Sequence, residues 1–427
     1  MNRGVHIRTY GCQMNKNDSD LILDLLTERG FAPAEDPEQA DILIINTCSV
    51  REHAERRALG YLATRKQWRD KGDRVLAVVG CMAKRRWREI MTRYPFVDLI
   101  LGPDDYRRIA DDLEEALKQR TRIIRTDTRN ELYAGVWRRA RAPVCDFVSI
   151  TRGCSNYCSY CVVPMVRGSV RSRTPEDVLA EVRCLAAAGV RDITLLGQNV
   201  NEYRSGQTGF VDLLLRVVEV PESFRVRFLT SHPKDFDPRL IDAVQGHQRL
   251  CDWFHLPLQS GSDRILSLMN RQYTRDDYRR IVDKIRARLP DATLTTDLIV
   301  GFPSETDAEF RETLDCVDEL GFNDAYTYRY SVREGTAAAN LPDLPEPVIM
   351  ARLKELIARQ TAATRLTLDR LRGAERKILF ERHVQDGTLG HTRGNTPVVV
   401  KGKQALGEFC RVRIAEIEGK TPIGTIL

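Results

Sequence analysis

The chain has 427 residues, too many for one hydrophobic core, so two or three domains are expected. Apolar content of 42% with 30% charged residues is that of an ordinary globular chain. No apolar run of about eighteen residues and no apolar leader in MNRGVHIRTYGCQ are present, which argues against a membrane span or export and for a cytoplasmic protein. The 66 basic and 60 acidic residues leave a net charge of only +6, which permits a polyanionic partner without requiring one. The 11 cysteines, an odd number without a secretory signal, point to metal or redox use rather than disulfides.

Up to about Leu132, strand-like and helix-like stretches alternate. His6-Ile7-Arg8-Thr9-Tyr10 leads to a helix near Asp18, Ile42-Leu43-Ile44-Ile45 to one near Ser49, and Val75-Leu76-Ala77-Val78-Val79 to one near Lys84. Val97-Asp98-Leu99-Ile100-Leu101 comes fourth, with a helix after Pro103. Near-continuous apolar strands between amphipathic helices predict an open parallel α/β sheet covered on both faces. Cys12, Cys48 and Cys81 follow the first three strands, at the carboxyl edge where such sheets bind ligands. Core cysteines would more often fall within strands or on helix faces. The favoured reading is therefore a [4Fe-4S] cluster with one iron uncovered; three buried core thiols are the alternative.

Residues 130–143 (NELYAGVWRRARAP) are basic and aperiodic and read as a linker, with Arg138, Arg139 and Arg141 clustered in it. Phe147-Val148-Ser149-Ile150 then reads as a buried strand. After Gly153, Cys154, Cys158 and Cys161 follow in C-x3-C-x2-C spacing, with Tyr160 directly before the third. Soft thiolates select iron–sulfur clusters, zinc or copper(I). A closed zinc site wants a fourth ligand, and no Cys or His lies close by in sequence to supply it. Three thiolates on one loop suit a [4Fe-4S] cube with an open iron; a zinc loop completed from elsewhere is the alternative. The loop resembles the signature of the radical S-adenosylmethionine (SAM) enzymes. That resemblance implies SAM chelated at the open iron and cleaved by one electron to methionine and a 5′-deoxyadenosyl radical.

Thr174, Pro175, Glu176 and Asp177 are start signals for the next helix, and Gly189 follows its end. Strands near residues 193–196, 226–229, 253–256, 294–300 and 326–330 bring the count to six with the first. That predicts a partial, open (βα)6 barrel, short of the closed eight. Its strand ends carry Gln198 and Asn199, Ser231 and His232, His255, Gln259 and Ser260, then Asp297 and Gly301, on the rim that holds chemistry in such barrels. Gln198, Gln259, Asp297 and Gly301, with Tyr160, are the candidate SAM-side residues. His232 and His255 read as hydrogen-bonded loop histidines. Arg167, Arg171 and Arg173, like the Arg138 cluster, could line a path for phosphates; a merely solvated face is the alternative. Cys145, Cys184, Cys251, Cys316 and Cys410 read as core or neutral positions.

A long amphipathic helix over residues 347–371 closes this unit. Short strands near residues 378–380, 398–400, 410–414 and 423–427 then predict a small β-barrel of the kind that binds single-stranded or looped RNA. Its loop at residues 391–396, with His391, Arg393 and Asn395, is the candidate base or phosphate contact; a barrel used only for packing is the alternative.

Several motifs occur together and in order: Gly11-Cys12-Gln13-Met14-Asn15, Asn46-Thr47-Cys48-Ser49-Val50-Arg51 and Gly80-Cys81-Met82, then the Cys154 loop. Gly197-Gln198-Asn199-Val200-Asn201, His255-Leu256-Pro257-Leu258-Gln259-Ser260-Gly261 and Thr392-Arg393-Gly394-Asn395 complete the set. On these the whole chain resembles the radical-SAM methylthiotransferase family. The resemblance implies a methylthiotransferase domain over 1–132, a radical-SAM domain over 140–370 and a TRAM domain over 373–427. It implies two [4Fe-4S] clusters, with Cys154, Cys158 and Cys161 holding the one that generates the radical and Cys12, Cys48 and Cys81 the one that holds the sulfur to be inserted. A second SAM is the methyl donor. The implied substrate is N6-dimethylallyladenosine at position 37 of a tRNA anticodon stem-loop, and the implied partners are an external one-electron reductant and a sulfur donor. Gln13-Met14-Asn15 and the Gly197 to Asn201 run set the chain apart from the branch that modifies a ribosomal-protein aspartate. Arg152 stands where relatives are often acidic, and residues 331–336 lack a proline common there. A sister enzyme acting on threonylcarbamoyladenosine, or a metal-stapled RNA-binding protein without turnover, are the alternatives.

Overall fold

Apolar runs become buried strands in the first domain where both faces are sealed, as at residues 42–47, 75–80 and 99–101. The computed structural model describes residues 3–137 and 144–427, so the Arg138, Arg139 and Arg141 cluster lies outside the described residues. Strands β1 (Gly4–Tyr10), β2 (Ala32–Pro33), β3 (Ile42–Thr47), β4 (Val75–Gly80), β5 (Leu99–Leu101) and β6 (Ile123–Arg125) form one parallel sheet, ordered β2-β1-β3-β4-β5-β6. Helices α1 (Gln13–Glu28), α2 (Glu52–Ala63), α3 (Cys81–Arg93) and α4 (Ile109–Gln119) cover it. Ile42 and Ile44 pack with α1 and α4, whereas Leu43 and Ile45 pack with α2 and α3. All four are fully buried, each contributing about 1.5–3 kcal/mol. The short edge strands β2 and β6 were not expected; two or three residues, one of them Pro33, leave no period to read.

Two helices start earlier than the periodicity suggests. α1 begins at Gln13, not near Asp18, and α3 begins at Cys81 itself, not near Lys84. The first turns of α1 carry Asn15, Asn17 and Asp18, all buried polar side chains: Asp18 is covered by Arg152 and Arg167 of the second domain, whereas Asn15 faces Asn46 and Thr47 within the first. α2 starts at Glu52, three residues after Ser49. The expected linker is also partly ordered into the core. Tyr133 is buried and stacks on Tyr106 with centroids 5.8 Å apart, and its hydroxyl donates to the Pro103 carbonyl at 2.8 Å.

The second domain contains the six expected strands, β7 (Cys145–Ser149), β8 (Asp192–Leu196), β9 (Arg225–Leu229), β10 (Trp253–His255), β11 (Thr293–Val300) and β12 (Asp324–Arg329). They form two three-stranded parallel sheets, β7-β8-β9 and β10-β11-β12. Sparse backbone bonds join them, among them Cys251 N to Val226 O at 2.9 Å and Ser231 N to His255 O at 3.4 Å. Helix α5 (Val163–Arg167) follows the three-cysteine loop, and α6 (Pro175–Ala187) is capped by Thr174, which accepts from the Asp177 N–H. The closing helix α7 (Glu346–Asp369) buries Ile349, Leu356, Gln360, Thr364 and Leu368, one stripe at helical spacing.

The last domain is a closed barrel of β13 (Glu375–Val384), β14 (Gly387–Thr392), β15 (Pro397–Lys401), β16 (Phe409–Glu418) and β17 (Thr421–Ile426), ordered β13-β14-β15-β17-β16. β14 escaped the sequence reading because it is rich in glycine, and both glycines are needed. A Cβ at Gly387 or Gly390 would overlap the Val400 or Leu379 carbonyl.

The candidate RNA loop lies elsewhere than expected. His391 and Thr392 end β14, and Arg393 turns into the second domain, donating to Leu250 O at 2.6 Å and Val244 O at 2.7 Å. In return Arg225 donates to His391 O at 2.8 Å, and Arg227 to Thr392 O at 2.7 Å and Arg393 O at 3.0 Å. Asp192 holds both arginines, at 2.5 and 2.9 Å. These residues sit at the start of the barrel strands, so the loop closes the floor opposite the rim. Arg393→Ala is therefore expected to cost about 1–3 kcal/mol in denaturant unfolding, as charged hydrogen bonds do. In filter binding the variant should hold tRNA within about twofold of the parent, since a 1.4 kcal/mol effect would be tenfold.

Candidate functional site

The register of the first sheet pairs Tyr10 with Thr47 and Thr47 with Gly80. Neighbouring strands lie about 4.8 Å apart, so Cys12, Cys48 and Cys81 leave three adjacent strand ends at one edge. Asn15 ties them together: its Nδ2 donates to Asn46 Oδ1 at 3.1 Å and Thr47 O at 3.2 Å. A side chain at Gly80 (φ +97°) would run into the Thr47 carbonyl, and one at Gly11 into Asn15 and Cys48. Cys12 is the N-cap of α1 and Cys81 the first residue of α3, where the helix dipole favours a thiolate. The Cys48 thiol donates to Cys12, and with Arg167 and the N–H groups of α1 it brings Cys12 down to about 6. Cys48 is pushed up for the same reason, and burial raises Cys81 against the pull of Arg167.

The second trio sits on a loop held from every side. Gly153 (φ +80°) passes so close to Ser169 O that a Cβ would overlap it. Its N–H donates to Gln198 Oε1 at 2.6 Å. Cys154 N donates to Gly168 O, Ser155 N to Glu202, and Ser159 N to Met269 O. Arg271, buried, places Nη1 3.4 Å from Cys158 Sγ. Burial pushes Cys154 up to about 11 and Cys161 up to about 12, so a metal centre is what would hold them as thiolates.

The domains dock so that the two edges face each other. Arg167, on α5 after Cys161, donates from Nε to Cys81 Sγ at 3.1 Å and from Nη2 to Asp18 at 2.7 Å. Arg152 pairs with the other Asp18 oxygen at 2.9 Å, and Ser149 Oγ lies 3.7 Å from Met14 Sδ. Arg333 reaches from the loop after β12 to Val50 O, two residues past Cys48. Burial works against the Arg51 charge, yet Tyr328, Cys12, Cys48 and Asp297 around it hold it above the usual guanidinium value. Arg51 thus spans from the first trio to the barrel rim.

Among the candidate SAM-side residues, Gln198 is engaged with the Gly153 N–H and supports the loop. Gln259 is buried at φ +75°, with an Oε1 that has no partner. Asp297 remains partly exposed, its oxygen 3.7 Å from His255 Nε2. Tyr160 packs behind the loop against Ile265, Met269, Phe302 and Tyr330. Gly301 is a turn glycine: Glu305 accepts its N–H at 2.8 Å, and its bare face is filled by Ile349 of α7. His232 is neutral, burial and Arg271 having lowered it to about 2, so it has no use as a base. The expected phosphate path does not exist: Arg167 is spent on Asp18 and Cys81, Arg171 on Asp104, and Arg173 on Asp177 and Glu181. Arg51 and Arg271 were missed as site residues. Arg271 has no local signal, whereas Arg51 follows Cys48 by three positions.

Three thiols in each donor set match the chemistry of an iron–sulfur cluster with one open iron. A single tetrahedral zinc holds its sulfurs roughly 3.8 Å apart. Among the described residues only Cys145, Asp192 and Glu381 bring three ligand atoms within 4.8 Å of one another; neither cysteine trio closes that far. Asp192 is already paired with Arg225 and Arg227, and Glu381 with Arg225, which leaves no cation site there. Buried beside the first trio, Arg167 Nη1 lacks an acceptor, which a cluster sulfur would supply.

A six-stranded open barrel with three cysteines on the loop after its first strand defines a radical-SAM enzyme. The profile of the Radical SAM superfamily matches residues 148–317, and that of uncharacterized protein family UPF0004 matches residues 4–102. A tRNA-2-methylthio-N(6)-dimethylallyladenosine synthase of Thermodesulfovibrio yellowstonii is 38% identical over all of this chain and 99% of its own length. Those of Moorella thermoacetica (41% identical, covering 96% of each chain) and Geobacillus kaustophilus (40% identical, over 100% of this chain and 82% of the relative) carry the same name. The chain belongs to this family of tRNA methylthiotransferases. Among solved structures, the radical SAM methyltransferase TsrM from Kitasatospora setae, with cobalamin and a [4Fe-4S] cluster bound, aligns with TM-score 0.58 over 79% of this chain and 77% of its own. At 14% identity that likeness concerns the fold.

Proposed function

We propose that the protein converts N6-dimethylallyladenosine in tRNA to its 2-methylthio derivative, with full-length similarity to synthases of that name as the observation that carries the reading. The C2–H of adenine offers no proton that a side-chain base can take, so the cofactors do the chemistry and the protein positions them. An iron–sulfur cluster with an open iron, when bound with SAM, supplies the one-electron cleavage that yields a hydrogen-abstracting deoxyadenosyl radical. Cys154, Cys158 and Cys161 hold that cluster, and Arg271 donates to Cys158. Cys12, Cys48 and Cys81 would hold a second at the facing edge, where the incoming sulfur would be kept. Asp297, Gln259 and Arg51 line the rim between them, where SAM and the extruded base meet. Position 37 is reached by splaying the base from the anticodon loop. An external one-electron reductant and a sulfur donor complete the cycle in the cytoplasm.

The test uses anaerobically reconstituted, reduced enzyme with tRNA carrying either dimethylallyl- or threonylcarbamoyl-adenosine, followed by mass spectrometry of the nucleosides. The 2-methylthio product is expected from the first only, with roughly eight irons per chain for two four-iron clusters. Turnover of the threonylcarbamoyl substrate instead would overturn the substrate assignment.

A further inference from the structure

Arg167 belongs to the radical-SAM domain by sequence, six residues after Cys161, yet its guanidinium serves the other trio. Nε lies 3.1 Å from Cys81 Sγ, and Nη2 lies 2.7 Å from Asp18. The side chain is only 4% exposed. Its third nitrogen, Nη1, is buried with no acceptor in the protein. Asp18 carries one negative charge against the two positive charges of Arg152 and Arg167, both within 3 Å of it. Two guanidiniums therefore share one carboxylate, away from water, and Arg167 is fixed against the first cysteine trio.

A hydrogen bond donated to a cluster thiolate, and a positive charge nearby, both stabilise the reduced, more negative form and so raise the reduction potential. We propose that Arg167 is a positioning residue through which the radical-SAM domain raises the reduction potential of the centre held by Cys12, Cys48 and Cys81. This rests on the reading that those three thiols carry a cluster of their own. A group bound there would also supply the acceptor that Nη1 lacks, so the environment of this centre would be complete only when the two domains are docked. The second trio has a counterpart in Arg271, but that donor comes from its own domain and sits farther from sulfur, at 3.4 Å.

The experiment is a potentiometric titration of the full, reconstituted chain, followed by electron paramagnetic resonance with dithionite as the titrant. A Cys158→Ala background removes the second trio's cluster, so the signal that survives in it reports the first trio. Arg167→Gln should shift that couple to lower potential and leave the other couple in place. Arg167→Lys keeps a charge for Asp18 but loses the Nε donor, and should give a smaller shift in the same direction. Arg152→Lys, which alters the same ion pair without touching Cys81, should give none. If Arg167→Gln does not fold, Arg167→Lys against Arg152→Lys carries the test alone. Unchanged potentials in the Arg167 variants at about eight irons per chain would overturn the proposal. A parent protein holding only about four irons would overturn the reading beneath it, a different and separately visible result.

Discussion

Cys158→Ala is expected to reduce 5′-deoxyadenosine formation to background, while Cys48→Ala continues to cleave SAM without inserting sulfur. The two thiols belong to separate trios on separate domains, and each variant removes one ligand from one set. At Cys158 the loss is compounded because Arg271, buried, is left with Nη1 aimed at a missing sulfur. At Cys48 the vacated space lies beside Asn15 and Asn46, whose amide network survives the change. Both variants should keep the far-ultraviolet circular dichroism of the parent, since neither cysteine packs in the apolar clusters. Chromatography of deoxyadenosine and mass spectrometry of the tRNA nucleosides read the two activities from one reaction. Equal loss of both in Cys48→Ala would mean that the trios do not act separately, and the assignment of roles would fall.

That division was legible because its signals are local. An apolar run followed by a cysteine needs no partner to be read, and the parallel register then brings Cys12, Cys48 and Cys81 to one edge. The C-x3-C-x2-C loop is likewise confined to eight residues of chain. What escaped depends on contacts between distant segments. Asp18 looks like an ordinary helix-start residue until Arg152 and Arg167 meet it, 134 and 149 positions away. Arg393 reads as an RNA contact until the floor of the barrel is seen to take it, and the Arg167, Arg171 and Arg173 cluster reads as a basic path until each residue finds its carboxylate. Gly301 fell in a strand-end motif, but Ile349 of α7, 48 positions on (349 minus 301), occupies the face a ligand would need. Charge and glycine have several uses; only the tertiary partner selects one.

Asp18 itself should be the costliest single change outside the cysteines. Its side chain is fully buried and accepts from Arg152 at 2.9 Å and from Arg167 at 2.7 Å, both guanidiniums 4% exposed or less. Asp18→Asn keeps the shape and removes the charge, leaving two buried cations facing each other. Removing one partner from a buried ion pair typically costs about 3–5 kcal/mol, because the remaining charge stays out of water. Arg152 retains the Pro103 carbonyl at 3.2 Å and the Tyr133 ring at 4.8 Å, which limits how far it can retreat. The expected result is therefore separation of the first domain from the second, seen in urea as a transition that splits or moves by that amount. Adding Arg152→Met to Asp18→Asn removes one of the stranded charges, and should recover part of the loss as a non-additive term. A single-variant cost below about 1 kcal/mol, the level of an exposed pair, would show that the two domains are held by something other than this triad.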